Sequence, residues 1–304
     1  MPTLLFATRP SALARWQTQW VCQVLEKAWS GLKCQEVVIT TKGDRILDRP
    51  LPEIGGKGLF TLELEGELLE GRVHGAVHSL KDLPVDNPPG LVLGAIPQRA
   101  VVQDVLISQN GYTFMDLPVG ARLGTSSLRR SAQVLAQRPD LQILPLRGNV
   151  DTRIQKVFAG EYDAIILAGA GVTRLGLEKH ITEWLPLELM LPAPGQGALA
   201  VQCRANDSQT LGYLAAIEHF ATRQAVSAER AFLAELGGGC SLPVGAYAQP
   251  TPQGLSMQVV VAAPGGHQII RHAASGEEPL ALGVACAQEV LRQGAGDILS
   301  DHGD

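Results

Sequence analysis

The chain has 304 residues, 45% of them hydrophobic and 18% charged, with a net charge of −5 at pH 7. That much apolar material excludes a chain disordered throughout, and the length favours two or three domains at ~100–200 residues each. The acidic balance excludes a nucleic-acid binder driven by global charge, so any anion site has to be a local concentration of arginine.

No apolar run approaches the ~20 residues that span a bilayer. The start, Met1 to Arg9, has no basic leader before its short apolar stretch and does not read as a secretory signal. Five cysteines, Cys22, Cys34, Cys203, Cys240 and Cys286, are scattered without a CxxC pair. That pattern argues against a disulfide framework and a structural zinc site, and it points to a cytoplasmic location with no metal.

In chain order, Thr3 to Ala7 reads as a strand, and Leu13, Trp16, Trp20, Val24 and Leu25 give Ser11 to Trp29 helical spacing. Val37 to Thr40 reads as a strand, Leu59 to Leu69 as a helix and Gly75 to Ser79 as a third strand. The Gly/Pro-rich segment Thr41 to Gly58 is long for a connection and reads as a lid. Arg122 to Gly124 followed by Ser126 to Gln137 reads strand–turn–helix. Strands at Leu141 to Pro145 and Ala164 to Ala168 flank a helix at Val150 to Phe158. This alternation predicts an α/β fold with mostly parallel sheets. Pro192 to Ala198 reads as a domain crossover. The rest differs: a helix from Ala225 to Leu236, strands at Val244 to Ala248, Met257 to Ala262 and Gln268 to Arg271, then a helix from Pro279 to Arg292. That order predicts a small C-terminal α+β domain on an antiparallel sheet.

Three groups of residues carry chemistry. Arg122, Arg129, Arg130, Arg138, Arg147, Arg153 and Arg174 crowd one stretch of an acidic chain, and Thr125, Ser126 and Ser127 stand before Arg129 and Arg130 at a helix start. Helix N-termini and bidentate guanidinium groups bind anions, which suggests a ligand with several carboxylates or phosphates. The competing reading is a set of solvated arginines paired with Asp140, Asp151 and Asp163. Second, Asp82 beside Lys81 after a buried strand is either a held acid–base group or a turn residue ahead of Pro84, and His78 is either a ligand or a packed histidine. Third, Cys240 follows Gly237, Gly238 and Gly239, which frees it to approach a ligand; the alternative is a small buried thiol in a turn. No His and Asn partners accompany it, so hydrolytic cysteine catalysis is not favoured.

The chain resembles the porphobilinogen deaminase (hydroxymethylbilane synthase) family nearly end to end. The resemblance is carried by Ala7 to Ser11, Thr41 to Asp44, Gly55 to Phe60, Val77 to Pro84 and Gly124 to Arg130. It continues through Leu146 to Arg153, Arg174 to Leu177, Pro194 to Gly197 and Gly238 to Cys240, in the family's order. It implies two lobes like those of solute-binding proteins, 1–97 with 198–216 and 103–191, and a third domain over 220–304. It implies a transferase of tetrapyrrole, porphyrin and haem biosynthesis. Such an enzyme joins four porphobilinogen molecules head to tail, with loss of ammonia, into hydroxymethylbilane. The primer is a dipyrromethane cofactor held through a thioether, here to Cys240. By the same resemblance Asp82 is the catalytic carboxylate. Lys81, Ser127, Arg129, Arg130 and Arg147 bind the cofactor, while Arg9, Ser11, Arg153, Arg174 and Gln196 bind substrate. Lys57 belongs to the lid. A monomer, with no nucleic-acid or membrane partner, is expected.

The segment Arg99 to Asp104 departs from the family's Arg-x-Asp-Pro-Arg-Asp, and Leu62 stands where a basic residue is usual. Val101 and Val102 cannot replace the proline's fixed φ or the lost charges, which predicts altered hinge motion in an active enzyme. Three other readings compete: a solute-binding protein without catalysis, separated by cofactor attachment at Cys240; a pyrrole-binding paralogue without turnover, separated by product formation; and, more distant, a phosphate- or nucleic-acid-binding regulator, separated by a salt-sensitive affinity for polyanions lacking pyrroles.

Overall fold

The computed structural model describes residues 2–45, 58–238 and 242–300. Cys240, Lys57 and the middle of the expected lid lie outside the described residues. The chain divides into two compact units, Met1–Ala100 with Gly197–Arg223, and Val101–Gln196 with Gln224–Asp304.

The first unit is built on strands β1 (Thr3–Thr8), β2 (Lys33–Val38), β3 (Gly75–Ser79), β4 (Leu91–Ala95) and β10 (Leu199–Arg204), in the order β2-β1-β3-β10-β4. β1 is parallel to β2 and β3, whereas β10 runs antiparallel to both its neighbours. Four strands therefore share one direction. Helix α1 (Ala12–Ala28) buries Val21 and Leu25 against Leu4, Phe6, Val77 and Val201 on one face of this sheet. Helix α2 (Leu62–Leu69) buries Leu64 and Leu68 against Ala7 and Ala76 on the other. The odd and even residues of β1 and β3 thus feed two cores, as a sheet covered on both faces requires.

In the second unit the sheet has the order β7-β6-β8-β5-β9, from β5 (Asp104–Ser108), β6 (Arg122–Gly124), β7 (Gln142–Leu144), β8 (Ala164–Ala168) and β9 (Glu183–Trp184). Again one strand, β5, opposes the rest. Helices α3 (Leu128–Gln137), α4 (Val150–Phe158) and the short α5 (Gly169–Arg174) connect these strands. The unit also holds an antiparallel sheet, β11 (Val244–Thr251), β12 (Gly254–Ala262) and β13 (Ile269–Gly276), whose first hairpin closes at the pair Thr251↔Gly254. Helix Pro279–Val290 and the part of helix Phe220–Glu235 from Gln224 onward complete the elements of this unit.

The structure corrects several expected boundaries. β2 starts at Lys33, not Val37, because its ladder to β1 runs from Thr3↔Lys33 to Thr8↔Val38 and its first half alternates with polar residues at the sheet edge. The helix expected from Ala225 begins at Phe220; Phe220 is 69% exposed and stands off the face that buries Ala225, Val226 and Phe232, while His219 Nδ1 accepts from the Thr222 N–H at its start. The last helix ends at Val290, and Gly294 (φ +97°) breaks the path before a final turn at Gly296–Ser300. β4, β5, β9 and β10 had no counterpart in the sequence reading. Gly94 weakens the signal in β4, yet a Cβ there would lie 2.6 Å from Leu214 Cδ1 and 2.7 Å from Cys203 Sγ. Leu62, in the position usually basic, is exposed, as is Val101, whereas Val102 is buried.

Candidate active site

In the first unit the carboxyl ends of β1 and β3 lie side by side. Parallel α/β sheets present their ligand sites at such ends, because the loops there leave the sheet together and face helix N-termini. Arg9 follows β1 directly, Ser11 caps α1 by accepting from the Ala14 N–H at 3.3 Å, and Asp82 closes a single 3₁₀ turn after β3. These three side chains line one recess of about 80 Å³ with Gln17, Phe60, Thr61, His78 and Ser79. The recess therefore brings together Arg9, Ser11 and Asp82, three of the residues singled out in the sequence; Lys81 stands in the same turn as Asp82.

The walls of the recess are held by buried polar groups. Gln17 Nε2 donates to Ser79 Oγ at 2.9 Å, which fixes α1 to the end of β3. The Leu80 N–H donates to Ala198 O at 3.0 Å and the Leu83 N–H to Leu80 O at 3.2 Å, which pins the turn bearing Asp82. Asp82 itself is exposed, so its carboxylate is open to a ligand. Two polar atoms of the lining, Thr61 Oγ1 and His78 Nε2, are buried with no partner among the described residues. Arg9 donates from Nε and Nη2 to Asp44 Oδ1, at 3.1 and 2.5 Å, and its guanidinium lies over the Phe60 ring at 4.0 Å.

His78 is 7% exposed, and burial is the main reason its basicity falls to about 4; the Arg9 charge acts in the same sense and Gln202 opposes it. It is a neutral imidazole at pH 7 in the folded chain. An unfolded histidine titrates near ~6.5, so below that pH the unfolded state takes up a proton that the folded state refuses. Stability is expected to fall as pH drops from ~6.5 to ~4, with His78 contributing up to roughly 1.4 kcal/mol per pH unit. Urea melts across this range check it: the His78→Asn variant should show a shallower pH dependence than the parent.

In the second unit the same geometry recurs at the carboxyl ends of β6 and β7. Ser126 Oγ donates to Leu146 O and accepts from the Leu146 N–H, both at 3.0 Å, which joins the turn leading to Ser127 to the turn carrying Arg147. Ser127 caps α3 by accepting from the Arg130 N–H at 3.4 Å. Arg153 Nε donates to Gly148 O at 2.7 Å, one turn into α4. Arg174 ends α5; burial alone lowers its basicity to about 10.

Arg129 and Arg130 are placed differently from a solvent-facing anion grip. Their side chains are 5% and 8% exposed and both contact Asp104, which is fully buried. Arg129 Nη1 donates to Asp104 Oδ2 at 2.8 Å and to Leu191 O at 2.7 Å, while no described residue accepts from its Nε or Nη2. Arg130 donates from all three of its nitrogens, through Nε and Nη2 to Asp104 Oδ1 and through Nη1 to Ile166 O. Burial on its own would raise the Asp104 carboxyl, but the two guanidinium charges outweigh it and hold the group well below the usual carboxylate range. Gln196 Nε2 joins the cluster, donating to Val102 O at 2.7 Å and Asp104 Oδ1 at 3.0 Å. Of the arginines in this stretch, Arg122 and Arg138 are ion-paired with Asp163 and Asp140, as the structural reading of the cluster has it.

The sequence reading assigned no role to Asp44 or Asp104. Asp104 does leave a signal: a single carboxylate heading the otherwise apolar Val105-Leu106-Ile107 must be paired once buried. Among the described residues no three His, Cys, Asp or Glu side chains are grouped to hold a metal, and no helix is long and apolar enough to cross a membrane.

Arginines, a carboxylate and helix-capping serines at the strand ends of an α/β fold suit a protein that handles anionic small molecules. Comparison with known proteins makes this specific. Residues 4–212 match the family described as "Porphobilinogen deaminase, dipyromethane cofactor binding domain", and residues 223–292 match "Porphobilinogen deaminase, C-terminal domain". The chain is 50% identical over 295 residues to porphobilinogen deaminase of Brevibacillus brevis, covering 97% of this chain and 96% of that one. It is 49% identical over 300 residues to the enzyme of Carboxydothermus hydrogenoformans, covering 98% and 96%. Among solved structures it is similar to the methionine-binding protein MetQ at 10% identity and a TM-score of 0.46, covering 73% of this chain and 92% of that one, a likeness too distant to bear on function. The chain belongs to the porphobilinogen deaminase family.

Proposed function

We propose that this chain joins four porphobilinogen molecules head to tail, with release of four ammonia molecules, on a dipyrromethane held by Cys240 through a thioether, and that one water then frees the product as hydroxymethylbilane and supplies its hydroxyl. The observation that carries the reading is the recess at the ends of β1 and β3, where Asp82 stands with Arg9 and Ser11 in a member of this family. Lys57 belongs to the same reading as a lid residue. A monomer working in the cytoplasm without nucleic acid, divided into the three domains 1–97 with 198–216, 103–191 and 220–304, completes it.

The residues present fit a dipyrromethane and its pyrrole substrate. Every unit of such a chain carries carboxylates, and it needs donors at its edges and an acceptor for pyrrole N–H groups. The Nη1 side of Arg9, the orphaned Thr61 hydroxyl and the exposed Asp82 carboxylate offer both kinds in one recess. When bound, the cofactor supplies the free pyrrole α-carbon to which the first substrate unit is joined.

Asp82 accepts from pyrrole N–H and stabilises the positive charge that develops on the substrate as ammonia departs, and it assists movement of the proton. Arg9 and Ser11 hold substrate carboxylates, with Arg153, Arg174 and Gln196. Lys81, Ser127, Arg129 and Arg147 hold those of the cofactor, and Arg130 adds its charge through the Asp104 cluster. Steady-state assay with porphobilinogen tests the reading: four substrate molecules consumed and four ammonia released per linear tetrapyrrole support it, and substrate binding without turnover contradicts it.

A further inference from the structure

The segment Thr41-Lys42-Gly43-Asp44 lies far from Asp82 in sequence and has no role in the chemistry so far. Each of its residues is anchored in the first unit. Thr41 is fully buried, and both its N–H (3.1 Å) and its hydroxyl (2.8 Å) donate to Asp44 Oδ2. The Lys42 N–H donates to Glu63 Oε1 at 2.7 Å, and the Gly43 N–H donates to Leu59 O at 3.0 Å. Gly43 is packed so tightly on Phe60 that a Cβ would lie 2.2 Å from the ring. The turn is thus built to hold Asp44 and Phe60 in fixed places.

What they hold is Arg9. Asp44 Oδ1 takes the Nε and Nη2 edge of the guanidinium and Phe60 covers one face. Burial would raise the Asp44 carboxyl, but the hydrogen bonds and charge of Arg9 and the donors of Thr41 hold it low, so it is ionised at pH 7. Of the five guanidinium hydrogens, the pair on Nη1 and the second on Nη2 have no acceptor among the described residues. A planar guanidinium clamped on one edge keeps its end-on fork, one hydrogen from each Nη, for a carboxylate.

We propose that Asp44 is a positioning residue: it fixes the edge and plane of Arg9 so that the end-on fork grips a pyrrole carboxylate in the recess with Asp82. This deepens the functional reading above and rests on it. The opposite possibility is concrete too, since Asp44 could merely compete with the ligand for Arg9.

Kinetics of Asp44→Asn, Asp44→Glu, Arg9→Lys and the double variant Asp44→Asn/Arg9→Lys separate the two. Positioning predicts that kcat/KM falls about tenfold or more in Asp44→Asn, carried chiefly by KM, that Asp44→Glu recovers part of it, and that the double variant is no worse than Arg9→Lys alone. A Lys has no fork to orient, so the effects cannot add. A fall in KM for Asp44→Asn, or additive losses in the double variant, overturns the proposal. The Arg9 Nε–H resonance, assigned by its loss in Arg9→Lys, gives a readout independent of turnover. It should be slow to exchange in the parent and fast in Asp44→Asn, and equal exchange in both overturns the orientation. A parent that fails to turn over porphobilinogen contradicts the functional reading instead, and the resonance still decides whether Asp44 orients Arg9.

Discussion

On the proposed function, Asp82→Asn is expected to lower kcat by roughly 10²–10⁴-fold, the range for loss of a positioned acid–base carboxylate, with little change in thermal stability. The second half of that expectation follows from the site's construction. Asp82 is exposed at the end of its turn, and the backbone bonds from Leu80 and Leu83 that hold this turn do not involve its side chain. Asparagine keeps the shape and can still accept from a pyrrole N–H, but it carries no charge to balance the cation formed as ammonia leaves. The loss should therefore fall on kcat more than on KM, and Asp82→Glu should recover only part of it, because an added methylene displaces the carboxylate from a recess with fixed walls. Rapid-quench measurement of a single substrate addition, beside a thermal melt, checks both halves.

Asp104→Asn has the largest expected effect on stability. Asp104 is fully buried and, among the described residues, is the one carboxylate paired with Arg129 and Arg130. Removing its charge leaves two guanidinium groups under cover without a counter-ion, and breaking buried pairs of this kind costs about 3–5 kcal/mol. At ~2–4 °C per kcal/mol for a unit of this size, the midpoint of the second unit should drop on the order of 10 °C. Its folded-state pKa is depressed, so the stabilisation is fully present above the unfolded value of ~3.9 and is lost as pH falls below it. The gap between parent and Asp104→Asn is accordingly wide at pH 7 and narrows in acid. Calorimetry at pH 7 and pH 3 measures it; an equal gap at both contradicts the ion-pair account. Gln196 and the Leu191 carbonyl share the cluster, so the variant should also loosen the path of residues 191–196.

Much of this architecture is legible in the sequence because it is periodic. The strand at Gly75 to Ser79, the helix at Val150 to Phe158 and the strand at Ala164 to Ala168 coincide with their expected bounds, since each has a clean apolar pattern with turn chemistry on both sides. Asp82 could be picked out because the end of a strand is a local feature, whereas the family resemblance alone assigns Arg9 and Ser11. The partners of the arginines are not local. Arg9 meets Asp44 across 35 residues, and Arg129 meets Asp104 across 25, so the pairing exists only once the sheets assemble. Hence Arg129 and Arg130, two adjacent charges that read as an open anion grip, prove to be largely enclosed around one carboxylate. Phe220 was missed at a helix start for the converse reason: an exposed aromatic breaks the pattern that marks a buried face.

Intact-protein mass spectrometry, on chain purified from a pyrrole-synthesising host, tests the central claim most directly. The account predicts that the parent carries the added mass of two linked pyrrole units and that the Cys240→Ala variant carries none. A parent of unmodified mass, or an equal addition on the variant, would contradict attachment of the cofactor to this cysteine and with it the proposed course of the reaction.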